Sequence, residues 1–231
     1  MPMRYREIYD VVAAREHAAI VARRAGAATH AEIWRRVPRG GAVLCVVADD
    51  QPGLLSFISA ALVVHGMDVE SAQAYTRAGL GEAVDLFWLR RERGLPSPIL
   101  EADIARIGLV LRGLVTGALT IDGVAASANI DRAAPPGATT HVRFDGTSAS
   151  GLSVLTVETH DRPGLLLAIT RALHRARVQI VASEATTKDG RVIDRFTIVE
   201  LDGAPLRANR RGLLQIEVLG AVEALAQGRT A

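Results

Sequence analysis

The stretches "DDQPGLLSFISAAL" from Asp49 and "HDRPGLLLAITRAL" from His160 repeat one arrangement: an acidic residue, a Pro-Gly turn and an apolar helix start. Asp50 and Asp161, 111 positions apart, stand where the backbone N–H groups of a first helical turn lack internal partners, and each carboxylate can cap them. Pro52 and Pro163 fix φ without removing a needed donor, while Gly53 and Gly164 let the chain turn tightly or let something approach it. Helix N-termini also attract anions. A small amino acid suits such a loop, its carboxylate meeting the N–H groups and its ammonium meeting Asp50 or Asp161. The plain alternative, that Asp-x-Pro-Gly is only a good strand-to-helix joint, stays open, because a duplication can be inherited without use.

No other group of residues has the spacing of a catalytic or metal site. There is no phosphate-binding glycine motif and no nucleophile elbow. His160-Asp161 falls in the repeated turn, has Asp49-Asp50 as its counterpart and lacks further spaced histidines, so neither a metal nor a cofactor is expected. His17, His30, His65, His141 and His174 are scattered and read as surface or helix-face residues. Trp34 and Trp88 read as packing residues, and Arg90-Arg91 and Arg210-Arg211 as solvated ends of elements. Ser183 and Glu184 share a strand beside the second loop, where period two allows only one of them to face a ligand.

Composition narrows the function classes. The 231 residues carry 27 Lys and Arg against 25 Asp and Glu, for a net charge of +2 without a basic block, which argues against a nucleic-acid partner. No apolar run reaches membrane length, and no signal-peptide core opens the chain. The single cysteine, Cys45 in "AVLCVV", fits a buried strand thiol and a reducing compartment, so a cytoplasmic location is expected.

These loops need elements to hold them. Residues 5–25 read as one amphipathic helix with Ile8, Val11, Val12, Ala19 and Ile20 on its stripe, and Ala27 onward as a shorter helix capped by Thr29. From residue 41 the pattern is strand, helix, two strands about a turn, helix; from residue 152 it recurs. The second helix of the first copy starts near Ser97 or Pro98. "TTHVRF" (139–144) supplies an additional strand whose sheet the sequence leaves open, and residues 125–138 read as connection.

The two copies, with "VESAQAYT…EAVDLFWL" and "SEATTKDGRVIDRFTIVELDG" behind the loops, resemble paired ACT domains. "VRFDG" (142–146) ahead of the second copy narrows the resemblance to the C-terminal region of bacterial protein-PII uridylyltransferase/uridylyl-removing enzymes. The resemblance implies an α+β chain of two ferredoxin-like βαββαβ domains, with antiparallel sheets and helices on one face, plus an N-terminal helical segment. The implied division is 1–40, 41–120, a linker at 121–138, and 139–231. It also implies a non-catalytic regulatory module that binds a small amino acid, glutamine in that enzyme group, at the domain interface and acts through a homodimer or a regulated protein partner. The ligand loops would be Asp50, Gln51, Gly53 and Leu54 in the first copy and Asp161, Arg162, Gly164 and Leu165 in the second, with strands near Val69 and Ile180 as the other wall. Gln51 departs from Arg162, so the first loop differs in what it can hold. A structural interaction module without a small-molecule ligand is the competing expectation.

Overall fold

The computed structural model describes residues 3–77, 79–91, 97–128, 138–147 and 151–227. Two short helices open it, α1 (Met3–Ile8) and α2 (Val11–Arg23), followed by β1 (Thr29–Arg36), β2 (Ala42–Asp49), α3 (Leu54–Val64), β3 (Met67–Arg77), β4 (Glu82–Arg91) and α4 (Glu101–Val115). After α5 (Ile121–Ser127) the order recurs as β5 (His141–Thr147), β6 (Ser153–His160), α6 (Leu165–Arg175), β7 (Val178–Lys188), β8 (Arg191–Glu200) and α7 (Ala208–Ala226). All eight strands join one antiparallel sheet in the order β1-β2-β4-β3-β7-β8-β6-β5.

The sheet is two four-stranded halves joined edge to edge. β3 and β7 pair from Ser71↔Thr186 to Tyr75↔Ala182, with Gln73 opposite Glu184 at the centre. Gln73 and Glu184 are themselves counterparts in the two copies, so a local two-fold runs through their pairing. Both strands carry an irregularity at equivalent points, Val69/Ser71 and Ile180/Ala182. Each therefore bends in the same way beside the junction.

Period-two alternation decides what each strand buries. β2 is covered on both faces: Leu44 and Val46 join the large core, with α3 and α4, while Val43, Cys45 and Val47 lie in a cluster with Tyr5 and Ile20 from the N-terminal helices. That explains its unbroken apolar run. β8 alternates exposed and buried residues, with Val192, Phe196 and Ile198 in the core that α6 and α7 share. Cys45 is fully buried, and burial pushes its thiol up to about 12.

Several expectations are corrected. Residues 29–36 form a strand and not a helix capped by Thr29. Ala31 and Ile33 pack on the main core, while Glu32 pairs with Arg23 of α2, so alternation and the free edge of β2 overrode helical propensity. β1 is thus the fourth strand of the first half, and β5 is the fourth strand of the second. The single helix expected over 5–25 breaks at Tyr9-Asp10, where Asp10 caps α2 through the Ala13 N–H at 2.8 Å. The break resets the helical phase: Ala13, His17 and Ile20 are buried, whereas Ile8, Val11 and Val12 are exposed. The second helix of the first half begins at Glu101, three residues after Pro98, where the Asp103 carboxylate accepts from the Leu100 N–H. Residues 121–127 of the expected linker are helix α5, and 129–137 lie outside the described residues. The arginine pairs are engaged and not merely solvated: Arg90 with Asp68 and Glu70, Arg91 with Asp103, Arg210 with Glu200, and Arg211 with the Ser153 hydroxyl.

Candidate functional site: two clefts across the sheet junction

Each repeated loop passes from an inner strand of its half, β2 or β6, to the helix above it. Its acidic residue is anchored by its own N–H to the glycine of the following hairpin, Asp50 to Gly81 at 2.8 Å and Asp161 to Gly190 at 2.9 Å. Gly53 and Gly164 are the residues before the helices, and both are left-handed, with φ of 88° and 78°. Leu54 and Leu165 donate back to the carbonyls of Gln51 and Arg162, at 3.1 and 3.2 Å. The N–H groups of the next two residues, Leu55-Ser56 and Leu166-Leu167, have no carbonyl within their own helix.

Asp50 and Asp161 were expected as helix caps; the cap positions belong instead to the glycines, three residues on. The Asp50 carboxylate accepts from the Thr76 hydroxyl on β3 at 2.9 Å. The Asp161 carboxylate lies 3.6 Å from the guanidinium of Arg90, which reaches it from the other half of the sheet. Fixing φ with Pro and turning at Gly already set the loop, so neither side chain is needed to stop the strand.

Above the junction lie two equivalent clefts of about 450 Å³ each, counting space open to solvent. The first has Asp50, Gln51, Gly53 and Leu54 on one side and Thr170, His174 and Ile180 from the second half on the other. Its counterpart sets Asp161, Arg162, Gly164 and Leu165 against Ser59, Val63 and Val69 from the first half. Loop from one half, helix and strand from the other: each cleft exists only because β3 and β7 pair.

The clefts differ in detail. The His174 ring lies over Gly53 so closely that a Cβ there would come within 2.5 Å of its Nδ1, and the ring meets Phe57 edge-on. Val63 occupies the corresponding place in the second cleft. Burial lowers the His174 pKa, which keeps the ring neutral, and its Nδ1 has no hydrogen-bond partner. Arg162 is buried and turned away, donating to the Val222 carbonyl of α7 at 3.0 Å. Gln51, its counterpart, lines the first cleft.

The floor of each cleft holds a residue that the sequence reading passed over. Asp85 on β4 lines the first cleft and Asp194 on β8 the second, with 3% and 2% exposure. Both point to the helix-covered face of the sheet, as do their strand neighbours Phe87 and Phe196. Asp85 Oδ1 accepts from the Tyr75 N–H at 3.2 Å, and Asp194 from the Thr186 N–H. Desolvation pushes each carboxyl up to about 8, aided by the charges of Asp50 and Asp161 respectively. The signal was available: "VDLF" and "IDRF" each place one acid at the same point of a strand whose same-face neighbours are apolar. Among the described residues, no group of His, Cys, Asp and Glu is arranged to hold a metal ion. Nor is any helix among them long and apolar enough to cross a membrane.

No family model matches the chain. Curated proteins do: the bifunctional uridylyltransferase/uridylyl-removing enzyme of Rhodospirillum rubrum is 30% identical over 203 residues, covering 84% of this chain and 21% of that protein. Those of Cereibacter sphaeroides and Gluconobacter oxydans are 30% and 31% identical over 173 residues each, covering 72% and 71% of this chain and 18% of each protein. A solved structure of an unknown protein from Galdieria sulphuraria covers 82% of this chain and 92% of that one at 16% identity, but its TM-score of 0.23 gives no support for a shared fold. The chain spans about a fifth of the length of the curated relatives it matches. It is therefore similar to a region of the bifunctional uridylyltransferase/uridylyl-removing enzyme, consistent with that enzyme's C-terminal part.

Proposed function

We propose that the chain is a non-catalytic regulatory region built of two ACT-type, ferredoxin-like halves, and that it binds a small amino acid in the clefts above the β3–β7 junction. In each half the strand completing the ferredoxin-like sheet, β1 or β5, precedes the repeat instead of following its last helix. The observation that carries the reading is the composite lining of both clefts, each needing residues from both halves. The helix N-terminus suits the ligand carboxylate, and the polar loop and strand groups suit the rest. Glutamine is the first candidate, from the similarity to the uridylyltransferase/uridylyl-removing enzyme. A ligand held by both halves favours one arrangement of the junction over others, which is how occupancy is passed to a partner or to a second copy.

Titration calorimetry of the full chain against the twenty standard L-amino acids, with glutamine first, tests the reading. The expected result is saturable binding of one or a few of them, with at most two sites per chain. Silence across the panel would leave the competing role, a structural interaction module without a ligand. The contact of His174 with Gly53, which narrows the first cleft, is the observation on that side.

A further inference from the structure

We propose that Asp85 and Asp194 are the ammonium acceptors of the two clefts, each giving up a proton to solvent as a cationic amine enters. The inference rests on the amino-acid reading above and names the group that would grip the cationic end of the ligand. Its geometry is a buried carboxyl on the floor of each cleft, beneath the acid of the repeated loop. An unpartnered polar atom stands at each floor. Asp194 Oδ1 has no hydrogen-bond partner, and in the first cleft the same is true of Ser56 Oγ, whose residue is 1% exposed. A polar atom buried without a partner is costly, and a ligand donor relieves that cost.

The charges around each floor favour an amine. In the first cleft the ionisable side chains are Asp50 from the loop and His174 from α6, while Cys45 and the Tyr75 phenol lie across the sheet in the cluster with the N-terminal helices. Burial holds His174 neutral, and no Lys or Arg is among the described residues that line the cleft. The second cleft holds Asp161, Arg162 and Asp68, with Arg90 shared between Asp68 and Asp161. Arg90 already engages the loop acid there, so the first cleft is the tighter amine site. Both floor carboxyls, raised to about 8, are mostly protonated at pH 7. An entering R–NH3⁺ keeps its own protons; the carboxylic acid loses one to water, and a carboxylate–ammonium pair remains.

That exchange has a measurable signature. Binding of the amino acid that calorimetry identifies should release close to one proton per site at pH 7, read as the difference in heat between two buffers of unlike ionisation enthalpy. Affinity should climb about tenfold per pH unit between pH 6 and 7.5 and level off above 8. The same acid lacking its amino group should not bind. Asp85→Asn and Asp194→Asn, checked for folding by circular dichroism, should each weaken one site at least tenfold and abolish its proton release. Binding without proton exchange, with Asn variants that bind like the parent, would overturn the inference and leave the amino-acid reading standing. Absence of any binding amino acid would remove both. Should an Asn variant fail to fold, the proton count on the unaltered chain still decides.

Discussion

At the residue scale, the two copies of the loop show how one backbone solution serves different side chains. Gly53 and Gly164 share a left-handed conformation that other residues adopt at a cost, but His174 crowds the first of them. Gly53→Ala therefore combines two penalties, left-handed strain and a collision with the ring, and should lower unfolding stability by roughly 2 kcal/mol or more. Denaturant titration of Gly53→Ala alone and with His174→Ala separates them: the second change should recover the collision and leave about 1 kcal/mol of backbone strain. Equal losses in both variants would mean that the ring contact contributes nothing. Gly53 was legible as a turn residue from its Pro-Gly pair, whereas His174 was read only as a surface or helix-face residue. Nothing 121 positions away in the chain signals that its ring lies on that glycine.

At the scale of elements, the N-terminal helices are a second layer on the first half. Tyr5, His17, Trp34 and Tyr75 form an aromatic cluster, with the Tyr5 hydroxyl 2.7 Å from His17 Nδ1 and the Tyr9 hydroxyl donating to Gln73 Oε1 at 2.5 Å. Burial lowers His17 to about 4, so the cluster is uncharged at neutral pH. Gln73 sits at the centre of the β3–β7 ladder, which ties this layer to the junction beneath the clefts. Ile20 is the aliphatic anchor beside Val43, Cys45 and Val47. Ile20→Ala should cost about 2–5 kcal/mol and, by loosening the layer, raise the rate at which a thiol reagent labels Cys45. Labelling as slow as in the parent would show that the helices are not what seals the strand.

At the scale of the whole molecule, a pseudo-symmetric pair of halves meets along a short ladder of five opposed residues, Ser71–Tyr75 against Thr186–Ala182, reinforced by contact of α3 with α6. An occupant of either cleft touches both halves, so saturating glutamine, or whichever amino acid binds, should slow hydrogen exchange of the β3 and β7 amides by at least about tenfold, with little change at β1 and β5. Uniform slowing across the sheet would indicate global stabilisation instead. The symmetry is not complete. Arg90 bridges the halves at Asp161, while Asp50 is met by Thr76 of its own half. The acids of the two clefts thus stand in unequal electrostatic surroundings.

The sequence by itself determined the duplication, the strand–helix–strand–strand–helix order of each copy, the hairpins, the buried thiol and the positions of the two loops. Those features rest on local chemistry: Pro and Gly restrict φ, and apolar periods of two or 3.6 commit a segment to a sheet face or a helix stripe. Only the tertiary structure decided that residues 29–36 are a strand, because the unpaired edge of β2 supplied the hydrogen bonds that outweighed local preference. It also decided that Asp85 and Asp194 lie beneath the loops and that each cleft borrows a wall from the other half. A chain pattern records which face a residue prefers. It does not record which distant element will lie across that face, and the chemistry of these clefts depends on that element.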